Sequence, residues 1–198
     1  MPQKRFPALQ IDPVAVAVLL ALLFTERVET VCALCLAICA HEAGHLLAAR
    51  LLKIRVEKLR FGLLGARIGV AGLQSYKQEA LLAAAGPAAS LVCAAVAFPL
   101  RSVGFFGSFC ALSLILGGLN LLPVQTFDGG RIVSCLFALR FGEAFSMRVF
   151  RWLSFGFLTL LWCFSVYLLL RAGSGVSWLG FSATLLARFF EVDSGSFG

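Results

Sequence analysis

The sequence predicts an all-α polytopic membrane protein of five to six transmembrane helices, with a short membrane-associated β-hairpin. Three observations lead there: 60% of the 198 residues are apolar and only 14% are charged, the apolar residues collect in long runs, and a glycine-rich segment between two of those runs alternates with period two. An ordinary soluble domain is roughly half apolar and a quarter charged, so a soluble monomer is excluded. Nineteen phenylalanines exclude a disordered chain, which lacks the apolar surface needed to offset its ordering entropy. At about 20 residues per crossing, the length leaves no stretch for a separate soluble domain, and residues 1–198 are expected to form one integral-membrane domain.

The apolar runs fall at about 13–25, 30–52, 78–100, 104–122 and 152–170, with a shorter one at 176–190. Lys4 and Arg5 ahead of the first run imitate a signal peptide, yet no A-x-A-like cleavage site follows, and 13–25 is read as a retained helix. The last run contains Gly180 and Arg188, and is either a sixth span or an interfacial helix. The net charge of +7 concentrates beside the runs. Residues 50–67 hold Arg50, Lys53, Arg55, Lys58, Arg60 and Arg67 against Glu57, and 131–151 hold Arg131, Arg140, Arg148 and Arg151 against Glu143. Both blocks read as cytoplasmic loops, and a cytoplasmic N-terminus with alternating crossings puts them on one side. Basic residues placed this way do not make a nucleic-acid surface, which would interleave them with exposed aromatics in a polar module.

Within 55–76, Glu57, Leu59, Phe61 and Leu63 alternate with Lys58, Arg60 and Gly62, and Gly65, Gly69 and Gly72 follow. This pattern fits a β-hairpin lying against the helices, or an ordinary basic surface loop. The seven cysteines lie almost wholly inside apolar runs and read as small buried thiols. Cys32 and Cys35 have CxxC spacing, but no second pair completes a metal site and no βαβ pattern suggests a redox motif.

The chemistry is carried by Ala40-His41-Glu42-Ala43-Gly44-His45, which contains both histidines of the chain. On a helix, positions i and i+4 differ by about 40° in azimuth and ~6 Å along the axis, so the two imidazoles address one metal ion. Glu42 is turned about 100° away, within reach of a water at the metal without being a ligand. Neutral nitrogen ligands, an open position and a carboxylate base are the requirements of zinc hydrolysis. The opposing reading, a pair of packed polar residues, would place three ionisable groups in an apolar helix at several kcal/mol each.

Away from Glu42, the acid embedded between apolar runs is Asp128, in Asn120-Leu-Leu-Pro123-Val-Gln-Thr-Phe-Asp128-Gly129-Gly130-Arg131. Pro123 breaks the fourth helix, and Gly129 with Gly130 gives a flexible backbone that turns a side chain inward. Local sequence leaves two roles open for Asp128: a metal ligand, or the N-cap of a helix from about 131 to 140.

The pairing of HExxH with N-x-x-P-x-x-x-x-D-G resembles the site-2 protease family of intramembrane zinc metalloproteases, and the short form is similar to the stage IV sporulation protein FB subgroup. The resemblance spans about residues 30–140 and includes Ala85-Gly86-Pro87, an element the family places between its motifs. It implies one zinc ion held by His41, His45 and Asp128, with Glu42 as catalytic base. Asn120, Pro123, Gly86 and Ser90 become candidates for contacts to substrate or around the ligands, Ser90 standing where many members have Asn. No PDZ module and no CBS domain are expected. The implied activity is peptide-bond hydrolysis in a membrane-tethered or transmembrane protein, such as a sigma-factor precursor or an anti-sigma factor. A membrane-protein inhibitor or regulator, the lipid bilayer, and the cytoplasmic membrane of a bacterium with the site opening to the cytoplasm complete the expectation. A metal transporter would spread its polar groups along several helices, whereas here they concentrate in two motifs. An inactive scaffold would be expected to lose Glu42 or a ligand, and all are present.

Overall fold

The computed structural model describes residues 8–11, 23–24, 26–62, 65–70, 75–124, 127–172, 180, 182–187 and 189. The chain divides into two units, Met1–Asn120 and Leu121–Gly198.

The first unit holds β1 (Ala8–Ile11), α1 (Val28–Leu51), β2 (Val56–Gly62), β3 (Gly65–Val70), α2 (Tyr76–Ala97) and α3 (Gly104–Asn120). A 3-10 turn at Phe98–Leu100 joins α2 to α3. β2 and β3 are antiparallel, from Val56 opposite Val70 to Gly62 opposite Gly65, with an irregularity between Val56 and Lys58. Residues 63–64 lie outside the described ones. β1 pairs with β2 in parallel, Ala8 to Lys58 and Ile11 to Phe61, making a sheet of order β1-β2-β3. That third strand has no local signal: its partner is far along the chain, and a four-residue segment carries too little period to announce itself.

Why α1 stops where it does is visible in its backbone. The Ile54 amide donates to the Ala49 carbonyl at 2.8 Å and the Lys53 amide to Arg50 at 3.1 Å. These are the two bonds of a Schellman motif, and Lys53 takes the left-handed conformation it requires, at φ 57°. The accompanying apolar contact is present too, since Ile54 packs with Ala49 and Leu82. At the start of α2, Ser75 and Gln78 form a capping box: the Ser75 hydroxyl accepts from the Gln78 amide, and the Ser75 amide donates to the Gln78 side chain, both at 3.2 Å.

α1, α2 and α3 touch one another pairwise. The buried side of α1 carries Ala33, Ala37, His41, His45 and Ala49, a ridge of four-residue steps made of alanines and the two histidines. Small residues let the helices approach closely, which is how packing is gained where lipid removes the usual hydrophobic drive. A Cβ on Gly44 would lie 2.6 Å from Ala89 Cβ, so only glycine fits this contact between α1 and α2. Large apolar side chains such as Leu36, Leu47, Leu81, Val92, Val96, Leu114 and Ile115 face outward. Of the cysteines, Cys110 and Cys135 are buried, whereas Cys32, Cys39 and Cys163 are exposed, which corrects the expectation of buried thiols: on a helix with apolar surroundings on every side, a small thiol serves the outer face equally well.

The second unit holds α4 (Asp128–Phe141) and α5 (Glu143–Ala172), which pack together, with the Ser146 hydroxyl donating to the Ser134 carbonyl at 2.7 Å. The helix expected from about 131 to 140 is α4, and α5 begins at Glu143 rather than near 152, so the rest of the basic stretch 131–151 is helical as well. Arginine is a good helix former, and charge alone does not end a helix. What separates α4 from α5 is Gly142, at φ +86°, where the chain turns. Among the described residues, α1, Tyr76–Leu100 and Glu143–Arg171 are long and apolar enough to cross a membrane, and α3 is a shorter apolar helix. Of the expected span at 13–25, residues 23–24 are described, and of the run at 176–190, residues 180, 182–187 and 189; all of these are helical.

Lysine in the left-handed region costs about 1 kcal/mol or more that glycine does not. Lys53→Gly is therefore expected to raise the thermal midpoint of the detergent-purified protein, read by loss of helical circular dichroism on heating.

Candidate metal centre

His41 and His45 occupy the middle of the buried ridge of α1, each 4% exposed, and Glu42 beside them is buried as well. The opposing surface of α2 is a second ridge of four-residue steps, Leu82, Gly86 and Ser90. The two ridges run antiparallel. His45 Nδ1 lies 2.8 Å from the Leu82 carbonyl, and His41 Nδ1 lies 2.9 Å from the Ser90 hydroxyl.

These bonds decide which nitrogens remain. A carbonyl only accepts, so the proton of neutral His45 sits on Nδ1 and its Nε2 carries a lone pair. The Ser90 hydroxyl can donate or accept; in the tautomer where His41 Nδ1–H donates to it, the Nε2 of His41 is likewise a lone pair. The two Nε2 atoms stand 3.2 Å apart, with the rings at 80° to each other. At that distance the two nitrogens can share one proton or one metal ion. Two histidine ligands on one tetrahedral zinc, at about 2.0–2.1 Å each, would have nitrogens roughly 3.3 Å apart.

Gly86 leaves the space for such an ion. A Cβ built there would strike His45 Nε2 and Cε1 and would lie 2.8 Å from His41 Nε2. A side chain at position 86 would thus fill the place on which both nitrogens converge, and glycine is required by that close approach rather than by backbone freedom. The residues present fit a divalent metal with imidazole ligands.

Asn120 closes α3, and its amide donates to the Leu116 carbonyl at 2.9 Å, so this contact is to its own backbone. Pro123 stands in the break that follows, where the Val124 amide bonds Leu122 and the Phe127 amide bonds Val124 at 2.8 and 2.9 Å. The N-cap of α4 is Phe127, and Asp128 is the first helical residue. The N-cap role open to Asp128 in the sequence is therefore filled by its neighbour, and its carboxylate sits where the helix dipole favours negative charge. Gly129 and Gly130 are not present for flexibility: a Cβ on the first would collide with the Leu121 carbonyl and on the second with that of Val124. The segment before α4 folds back over its first turn, and that packing holds Asp128 at the helix start.

Sequence reasoning missed the Leu82 carbonyl, because a backbone acceptor leaves no mark in residue types. The four-residue spacing of Gly86 and Ser90, matching that of the histidines, was the available signal for the second ridge.

A helical chain with a buried histidine pair arranged for a metal and an adjacent glutamate defines the class of membrane metalloproteins with HExxH sites. The model of peptidase family M50 matches residues 29–105 and 100–164, and the chain belongs to that family. A zinc metalloprotease of Methanocaldococcus jannaschii is 29% identical over 119 residues, 55% of this chain and 34% of that protein. The chain thus spans about a third of the length of that curated relative. The solved structure of a site-2 protease from the same organism matches with a TM-score of 0.68 over 96% of this chain and 94% of that one, at 17% identity, and is similar in fold.

Gly86→Ala is expected to abolish zinc binding while leaving helical content intact, since the new methyl lands between the two Nε2 atoms. Zinc per chain after dialysis, beside the far-ultraviolet spectrum, checks it.

Proposed function

We propose that the protein is an intramembrane zinc metalloprotease that hydrolyses a peptide bond in a membrane-tethered or transmembrane protein. The observation that carries this is the histidine pair with both Nδ1 atoms engaged and both Nε2 atoms 3.2 Å apart, beside Glu42. Membership of a peptidase family and likeness to a site-2 protease fold support the same reading.

In this proposal one zinc ion is held by His41, His45 and Asp128, and Glu42 is the base. Supporting Asp128 as the third ligand is its place in the N-x-x-P-x-x-x-x-D-G motif, as the first residue of α4. Zinc bound there supplies Lewis acidity, for activating a water and polarising the scissile carbonyl. Glu42 accepts the proton as the water oxygen adds to the carbonyl carbon, and returns it to the amine nitrogen as the carbon–nitrogen bond breaks. A substrate helix hides its carbonyls in its own hydrogen bonds, so it must unwind locally first. β2 and β3, read as a membrane-associated hairpin, offer the β3 edge for an extended segment by strand addition.

The finer reading has five to six spans in one metalloprotease domain whose motif core is about 30–140, a cytoplasmic N-terminus, and a site open to the cytoplasm. Substrates would then be cut near their cytoplasmic boundary, as for a tethered transcription-factor precursor or an anti-sigma factor. The reading extends to the sporulation-type subgroup, with a membrane-protein regulator acting on the protease.

Two variants test the assignment with a membrane-tethered reporter and metal analysis. Glu42→Gln is expected to keep zinc and to lose cleavage by roughly 10² or more, since general-base catalysis supplies at least that much. Cleavage by this variant above about a hundredth of the wild-type rate would remove Glu42 as base. Asp128→Ala is expected to lose zinc along with activity; wild-type zinc content in that variant would remove Asp128 from the ligand set.

A further inference from the structure

Ser90 occupies a place that the chemistry above does not use directly. It is fully buried, at 0% exposure. Its hydroxyl lies 2.9 Å from His41 Nδ1. Behind it stands α3: a Cβ on Gly117 would lie 3.1 Å from Ser90 Cβ, 3.3 Å from the Pro87 carbonyl oxygen and 3.4 Å from Leu91 Cγ. Gly117 is thus the one-atom clearance within which Ser90 is seated, and three helices meet in the line Gly117, Ser90, His41.

We infer that Ser90 is a positioning residue: its hydroxyl oxygen accepts the Nδ1 proton of His41, fixes the tautomer that turns Nε2 to the metal, and depends on Gly117 for its place. The inference rests on the proposed zinc site. His45 has a backbone carbonyl for the same purpose, which no substitution removes, so His41 is the ligand whose aim is set by a side chain. Partners of this kind fix ring orientation and raise ligand basicity, and their loss typically weakens metal affinity by about 10- to 100-fold. A small serine pressed against Gly117 also makes α3 part of the metal centre without contributing a ligand. Any side chain at 117 pushes Ser90, and through it the imidazole.

The full-length protein, Ser90→Ala, Gly117→Ala and the double variant are purified in detergent, stripped of metal, and titrated with zinc against a competing chelator. Each is then loaded with cobalt(II) for its visible spectrum. Ser90→Ala is expected to bind zinc about 10- to 100-fold more weakly and to shift the cobalt bands, because the ligand field changes when His41 is free to turn. Gly117→Ala is expected to lose less, in the same direction, and to cost nothing further in the Ser90→Ala background. Equal zinc affinity in wild type and Ser90→Ala overturns the role of Ser90 and leaves the zinc site standing. An additive loss from Gly117→Ala in that background overturns the route through Ser90. Wild-type protein that takes up no zinc overturns the metal site and this inference together. The variants need not cleave anything for the result to be read.

Discussion

Two imidazoles pressed against a helix that presents no side chain to them is the constraint on which the rest of the structure depends. An α-helix repeats its surface every four residues with a slow drift, so a ridge of four-residue steps on α1 finds a groove between like ridges on α2. Placing alanine above and below the histidines thins the ridge enough for backbones to come close. Once they do, a glycine opposite the nitrogens becomes necessary and a polar atom on either side of it becomes available, one from backbone and one from serine. The metal-binding geometry is in this sense a by-product of close helix packing.

The same closeness explains why the groups are affordable in an apolar setting. A buried imidazole with one nitrogen unsatisfied costs several kcal/mol in a membrane interior, and each of these has its Nδ1 engaged. The two Nε2 atoms face one another across 3.2 Å, a spacing that one proton or one divalent ion can bridge. Apolar contacts such as Ala94, Ala97 and Cys110 between α2 and α3 hold the helices that carry these groups together.

Much of this was legible in the residues. The HExxH spacing named the two imidazoles and the base, the apolar runs named α1, α2 and α3 to within a few residues, and Pro123 marked the break after Asn120. Charge misled about where α5 begins: Arg148 and Arg151 sit inside it, because the helical backbone is indifferent to a long side chain that points away from its axis. Glycine misled in a different way. At Gly129 and Gly130 it signals contact rather than freedom, and the two cannot be told apart without knowing what lies opposite. Ser90 could be flagged as a candidate but not given a partner, since the partner lies on another helix and the register between helices is set by packing, not by spacing along the chain.

The parallel pairing of β1 with β2 carries a parity rule. Strands hydrogen-bonded residue for residue, Ala8 with Lys58 through Ile11 with Phe61, lie on one side of any bilayer the chain threads. A path that leaves one side and returns to it makes an even number of passages. The pairing therefore closes the stretch from Ile11 to Val56, α1 included, into a loop whose two ends meet residue for residue.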